Sequence, residues 1–384
     1  MKIIYASNKF VFPGLIDIHT HLREPDFENK ETIKTGSYAA ARGGVTSIYT
    51  NLSLNNVPAI EYVILKSAKE SIVNVFPIGS ITKRQDDVEL CEIGKLINSG
   101  VVAISDDGKP IMDSFIMSKG LEYSKMFDIP VISHCEDLKL VNNGVINEGN
   151  VSFKLGLPGI PNASKEVMIA RDIILAEHTL GHLHIAHVST KGSVSLIQEA
   201  KKRKVNITCE TAPHYFTLTE DDIMDYNTNY KMNPPLLKKE DCYAIIEGLL
   251  DGTIDCISSD HAPYSREEKN VEFNNAPFGI IGLETELSLS YKKLVIENKM
   301  DIKSFIQKMT TNPSKIIRID KKGSLTIGNF ADIIIFAPNK KFVVKDNIYS
   351  KSQNTPFFDY ELQGSVVTTI VNGKIVILDE KFLV

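Results

Sequence analysis

Two histidines one residue apart, His19 and His21, end a short apolar run that starts at Pro13. In an extended strand, residues i and i+2 face the same side, so both imidazoles address one point. Further along stand Asp106 and Asp107 before Gly108, His134 in Ser133-His134-Cys135-Glu136-Asp137, His187 in Ala186-His187-Val188-Ser189-Thr190-Lys191, and Asp260 in Ser258-Ser259-Asp260-His261-Ala262-Pro263. Imidazole and carboxylate ligands without thiolate suit Zn(II) or a similar divalent ion. Four histidines and two aspartates suffice for two ions sharing a carboxylate bridge, a centre that makes hydroxide near neutral pH and polarises a carbonyl oxygen. Asp260 has a second use, because a carboxylate beside activated water can take its proton and deliver it to a leaving nitrogen. Amide hydrolysis is the chemistry such a set would serve. Adjacent strand residues point to opposite faces, so spacing leaves open whether Asp106 or Asp107 faces the metal.

The elements that must position these groups read as alternating strands and helices. β-rich runs at 15–19, 46–49, 73–77, 101–105, 130–134, 182–187, 206–210 and 254–259 alternate with helical periods, among them 32–42, 57–70, 113–127, 165–178 and 192–202. Eight such units predict an α/β fold, a (β/α)8 TIM-type barrel, whose active site lies at the C-terminal ends of the strands. The candidate ligands stand at those ends. A doubly wound open sheet competes, but no Gly-rich phosphate fingerprint follows the first strand, and an open sheet would not bring residues from most strands to one point. Past the barrel, 301–311 reads as a helix broken by Asn312-Pro313, and 323–336 and 366–376 read as strands with an Asn372-Gly373 hairpin. The predicted division is a hydrolase barrel over 13–312, with 1–12 and 313–384 forming a small β-sandwich-like appendage reduced at the N-terminus.

Composition sets the class. The chain has 384 residues, 43% of them hydrophobic and 24% charged, with a formal net charge of -5 and a pI near 6.0. A large core is affordable, and nothing suggests nucleic acid or an anionic membrane as partner. Cys91, Cys135, Cys209, Cys242 and Cys256 are scattered and odd in number, which argues against disulfides and against a Cys-based zinc site. The first residues lack a sustained apolar stretch, so the cytoplasm is the expected compartment. His178, His182, His184 and His214 read as structural or surface residues, with His261 behind the ligands. Lys201-Lys202-Arg203-Lys204 reads as a solvated helix end, and Gly and Pro over 155–159 suit a loop that closes over the site.

The motifs resemble the amidohydrolase superfamily and, more narrowly, bacterial type I dihydroorotases. The resemblance rests on His19-Thr20-His21-Leu22-Arg23-Glu24-Pro25, Ala39-Ala40-Ala41-Arg42-Gly43-Gly44-Val45-Thr46, Ser105-Asp106-Asp107-Gly108, His134-Cys135-Glu136-Asp137, Ala186-His187-Val188-Ser189-Thr190, Asn233-Pro234-Pro235-Leu236, Ser259-Asp260-His261-Ala262-Pro263 and Phe278-Gly279, in that order. It implies reversible closure of N-carbamoyl-L-aspartate to L-dihydroorotate, a step of de novo pyrimidine synthesis, by metal-bound hydroxide. One or two Zn2+ would sit on His19, His21, Asp107, His134, His187 and Asp260, with Asp260 also the catalytic proton shuttle. The resemblance favours Asp107 over Asp106. Arg23 would hold the substrate carboxylate, and Asn233, Phe278 and Gly279 would line its pocket.

Two departures fall in that pocket. Ser53 stands where the family has a carboxylate-binding Asn, with Asn51 or Asn55 as substitutes, and Tyr264 stands where it has a second His. They motivate an alternative, a cyclic amide hydrolase of hydantoinase, dihydropyrimidinase or allantoinase type. A non-enzymatic alternative is a scaffold for aspartate transcarbamoylase, since some family members assemble with that enzyme. The expected partners are a small-molecule substrate, aspartate transcarbamoylase and a second copy of the chain.

Overall fold

The computed structural model describes residues 3–51, 54–345 and 348–384. Its centre is a set of parallel strands in two arcs. Leu15–Thr20, Val45–Asn51 and Asn74–Ile78 form one; Ile104–Ser105, Val131–Ser133, Leu183–Ile185, Ile207–Thr211 and Cys256–Ile257 form the other. Isolated parallel bridges join the arcs at both edges, Gly79 with Ile104 and Thr20 with His261. There Ser105 N donates to Gly79 O at 2.8 Å and His21 N to His261 O at 2.9 Å. The strands therefore follow one another round the ring in chain order, and the fold is the TIM-type βα barrel that the periodicity predicts.

Burial explains why these runs are strands. All six residues of Leu15–Thr20 are buried, as expected of a parallel strand covered on both faces. Leu15, Ile48, Val131, Leu183 and Ile257 pack outward onto helix residues such as Ala40, Ile60, Ile169 and Ile197. A separate cluster, with Ile18, Tyr49, Ile78, Ala103, Ile132 and Ala186, comes from the alternate positions around the ring.

The first helix, Ile33–Gly43, shows how the chain sets the strand spacing. Thr32 caps it by accepting from Thr35 N, and Gly44 ends it at φ 90. Gly43 is required by close approach, because a Cβ there would stand 1.9 Å from Leu283 O. The Ala-Ala-Ala-Arg-Gly-Gly run is thus a packing device.

Several elements differ from expectation. The strands at 101–105, 182–187 and 254–259 shorten to Ile104–Ser105, Leu183–Ile185 and Cys256–Ile257. The helix at 301–311 is Ile302–Gln307, and a second helix, Thr311–Ile316, contains Asn312-Pro313 in its first turn. Proline is tolerated there, since first-turn N–H groups have no intrahelical partner. The 155–159 stretch is tied down: Val145 N donates to Pro158 O at 2.9 Å, and Gly159–Ile160 pairs with Ile146–Asn147. Residues 323–331 form turns, with Gly328 at φ 95, and pairing starts at Ile333.

A five-stranded antiparallel sheet combines Phe10–Pro13, Ile333–Val343, Glu361–Val371, Lys374–Leu378 and Lys381–Phe382 in that order. Asn372 and Gly373, at φ 49 and 81, form its tight hairpin turn. The sheet docks on the first helix, where Arg42 Nη1 donates to Val366 O at 2.9 Å and Thr369 Oγ1 to Ala41 O at 2.8 Å. Among the described residues no helix is long and apolar enough to cross a membrane.

Candidate metal centre and active site

The polar groups at the strand ends meet at one mouth of the ring. His19 and His21 come from the first strand and its end, Asp107 follows the fourth strand, His134 the fifth, His187 the sixth and Asp260 the eighth. Asp107 lies between two pairs of imidazoles. Its Oδ2 is 3.3 Å from His19 Nε2 and 3.2 Å from His21 Nε2. Its Oδ1 is 3.3 Å from His134 Nδ1 and 3.6 Å from His187 Nε2. Asp260 joins the first pair, with Oδ1 3.6 Å from His19 Nε2 and 3.9 Å from His21 Nε2. Asp106 turns away, accepting from Ile81 N at 2.7 Å and from the backbone and hydroxyl of Thr82. It fastens the loop after the third strand.

The arrangement fits a pair of divalent cations. Within each cluster, His19-His21-Asp107 and Asp107-His134-His187, the ligand atoms lie within 4.8 Å of one another. Among the described residues Asp107 Oδ1 is buried without a hydrogen-bond donor, and His134 Nδ1 and His187 Nε2 converge to 2.8 Å beside it. An unsatisfied carboxylate oxygen next to two convergent imidazole nitrogens is costly to bury unless a cation occupies the space between them. His187 and Asp260 adopt φ 36 and 50. Such backbone is unfavourable for these residue types, and strain of this kind concentrates at functional positions.

Behind these side chains stand groups that orient them. Glu210 Oε1 lies 2.5 Å from His19 Nδ1, and its Oε2 accepts from Ser258 Oγ at 2.7 Å. Lys165 Nζ is 2.9 Å from His187 Nδ1. Glu136 Oε2 is 3.4 Å from His134 Nε2 and accepts from Asn233 Nδ2 at 3.0 Å. Partners of this kind fix the ring orientation of metal-binding histidines. None of the three stands out in the sequence as a site residue. Glu210 had one available signal, as the charged residue of the buried strand Ile207–Thr211; Lys165 had none. His214, read as structural or surface, is buried, with Nε2 making no hydrogen bond among the described residues and lying 4.0 Å from Asp260 Oδ2, at the edge of the site.

Electrostatics separates the two aspartates. Burial alone would raise the Asp107 carboxyl, but the charge of His19 and the imidazoles of His134, His187 and His19 beside it hold it well below the usual carboxylate range. Burial, opposed by His19 and reinforced by Asp107 and Glu210, pushes Asp260 up to about 7. Burial and the Lys165 charge push His187 well below its ordinary value, favouring the neutral imidazole that a metal would need. Their surroundings thus drive the two carboxyls in opposite directions, Asp107 towards the anion and Asp260 towards the neutral acid.

A cleft of about 680 Å³ opens over the cluster, lined by His21, Arg23, Asn55, Asn233, Tyr264 and Phe278 among others, with Gly279 in its wall. Arg23, itself at φ 60, donates from Nε to Pro263 O at 3.2 Å. Pinned by Glu136, Asn233 keeps a buried Oδ1 without a donor. Ser53 lies outside the described residues.

The amidohydrolase family model matches residues 10–376. Proteins named dihydroorotase are similar along the chain: that of Endomicrobium trichonymphae is 54% identical over 380 residues, covering 98% of this chain and 90% of that protein. That of Acetivibrio thermocellus is 53% identical over 386 residues, covering 99% and 90%. Among solved structures, the L-hydantoinase (dihydropyrimidinase) of Arthrobacter aurescens superposes with a TM-score of 0.89 at 23% identity, covering 99% of this chain and 88% of that one. The dihydropyrimidinase of Brevibacillus agri gives 0.86 at 21% identity, covering 100% and 88%. The structural likeness speaks to the fold, and the sequence likeness to the lineage: this chain belongs to the amidohydrolase family and, within it, groups with the dihydroorotases.

Proposed function

We propose that the chain interconverts N-carbamoyl-L-aspartate and L-dihydroorotate as a zinc-dependent dihydroorotase. The observation that carries this reading is the Asp107 carboxylate, each oxygen shared with a histidine pair, facing a cleft that also holds Asp260 and Arg23. The sequence likeness to proteins named dihydroorotase supports the choice of substrate.

His19, His21, Asp107, His134, His187 and Asp260 would hold one or two divalent ions, for which zinc suits the mixed imidazole and carboxylate donors; when bound, they supply a water of low pKa and polarise the substrate carbonyl. Arg23 takes the substrate carboxylate in its guanidinium fork. Asn233 Oδ1, without a donor among the described residues, accepts from a ring N–H. In the hydrolytic direction Asp260 removes the proton of the attacking water and passes it to the ring nitrogen as the carbon–nitrogen bond breaks. In the synthetic direction it takes that proton back. The same reading takes 13–312 as the hydrolase unit, with 1–12 and 313–384 as its β support. It also places the enzyme in the cytoplasm, where five buried, unpaired cysteines stay reduced.

The test is the rate of L-dihydroorotate hydrolysis followed by ultraviolet absorbance, with metal content measured on the same sample. Turnover that is lost on chelation and restored by zinc is the expected result. Metal-loaded protein that leaves dihydroorotate intact but opens hydantoin, dihydrouracil or allantoin would overturn the assignment.

A further inference from the structure

Arg23 is held on two sides. Besides the bond from Nε to Pro263 O, its guanidinium carbon lies 4.7 Å from the centroid of the Tyr264 ring. Among the described residues its two terminal nitrogens make no hydrogen bond, and the residue lines the cleft. Tyr264 is fixed in turn. Its backbone N donates to Asn354 Oδ1 at 3.0 Å, and the buried Asn354 donates to Ala262 O at 3.0 Å and Gly279 O at 2.9 Å. The ring rests against Gly279, where a Cβ would stand 3.0 Å from Tyr264 Cε2 and 2.7 Å from Ala262 Cβ, at φ +138. This close approach accounts for a glycine in the cleft wall.

Two further cations flank the ring, but both are occupied. Lys30 Nζ, 4.6 Å from the centroid, pairs with Glu268 at 2.8 Å. Lys269 Nζ, 5.8 Å from it, donates to the carbonyls of Thr228, Lys231 and Pro277 at 3.0, 3.1 and 2.9 Å. Arg23 alone of the three reaches the cleft with a pair of donors to spare. An arginine side chain is otherwise free to sample many rotamers, so a partner that orders it before substrate arrives lowers the entropic cost of binding.

We propose that Tyr264 is a positioning residue for Arg23: its ring face holds the guanidinium by cation–π stacking with the fork turned to a substrate carboxylate, making the site selective for anionic over neutral cyclic amides. The phenol hydroxyl plays no part, so a ring is needed and an oxygen is not. This inference rests on Arg23 being the carboxylate clamp of the proposed function.

The test uses the metal-loaded full chain and its Y264F, Y264L, R23M and R23M/Y264L variants. Orotate, a cyclic carboxylate, is the binding probe by calorimetry, and L-dihydroorotate the substrate. Y264L should weaken orotate binding about 3–30-fold and raise KM for dihydroorotate by a similar factor, with kcat little changed, as loss of a cation–π contact implies. Y264F should retain most of the lost affinity, and Y264L should add nothing in the R23M background. If the Leu variant does not fold, Y264Q takes its place at this half-exposed position. A Phe variant as weak as Leu would overturn the role, as would a Leu effect undiminished without Arg23. A wild type that binds no orotate would overturn it too. A wild type that binds orotate through Arg23 and Tyr264 but does not open dihydroorotate would refute the proposed reaction and leave this role standing.

Discussion

At the scale of single residues, the site divides into groups that bind and groups that orient. Asp260 is the candidate ligand whose carboxyl is pushed up to about 7, and its replacement should separate the two. Asp260→Ala should lower turnover by at least about 10²–10⁴-fold, the range of a general acid–base contribution, while leaving the circular dichroism spectrum unchanged; substantial residual activity would remove its shuttle role. Glu210→Gln keeps the shape and removes the charge behind His19, so metal affinity should fall by about 10–100-fold in a chelator competition. His19-x-His21 is legible in sequence because a two-residue spacing is itself geometry. Glu210 and Lys165 are not, since each reaches its histidine from a distant strand or helix, and a charged residue in a buried strand is the most that the sequence offers for Glu210. Asp107 falls between these cases: its pairing with Asp106 is visible, but only the fold shows that one carboxylate addresses the histidines and the other the backbone of Ile81 and Thr82.

At the scale of elements, Glu31 joins three segments. Its carboxylate accepts from Lys351 N at 3.1 Å, lies 3.3 Å from His261 Nε2, and takes the hydroxyls of Thr35 and Ser350. Burial would raise its carboxyl, yet the hydrogen bond and charge of His261, with the two hydroxyls, hold it below its ordinary 4.5. A carboxyl lowered in the folded state stabilises above the unfolded value and loses that contribution as pH falls through the folded one. Glu31→Gln should therefore cost about 1–3 kcal/mol near pH 7, and its difference from wild type should shrink below pH 4.5 in urea titrations. Amphipathic helices such as Val57–Glu70 are legible from their period. Lys239–Asp251 escapes that reading, because Gly248, where a Cβ would stand 3.2 Å from Val194 and Ile254, interrupts an otherwise helical run.

At the scale of the whole molecule, the barrel and the antiparallel sheet share one core. Phe336 is fully buried, 6.0 Å from Phe12 and 5.1 Å from Tyr291 between ring centroids. Phe336→Ala should destabilise the chain by about 3–5 kcal/mol, read as a lower denaturant midpoint. Because Gly14 N donates to Asp332 O at 2.8 Å, the first strand should loosen with it, and zinc retention should fall in parallel. The eight-unit barrel is legible because its period repeats; the five-stranded sheet is legible only in part, because Phe10–Pro13 is too short to announce itself apart from Ile333–Phe336.

That pairing bears on how the protein is made. Phe10 leaves the ribosome early and waits for Phe336, its partner in the sheet, which at ordinary elongation rates arrives roughly 15–60 s later. Until then the strand carrying His19 lacks its outer anchor, and closing so long a loop is the slowest kind of contact to form. The histidine pair near Phe10 is therefore among the last parts of the site to settle, and the nascent chain stays exposed to misassembly, or to capture by a chaperone, until Phe336 has emerged.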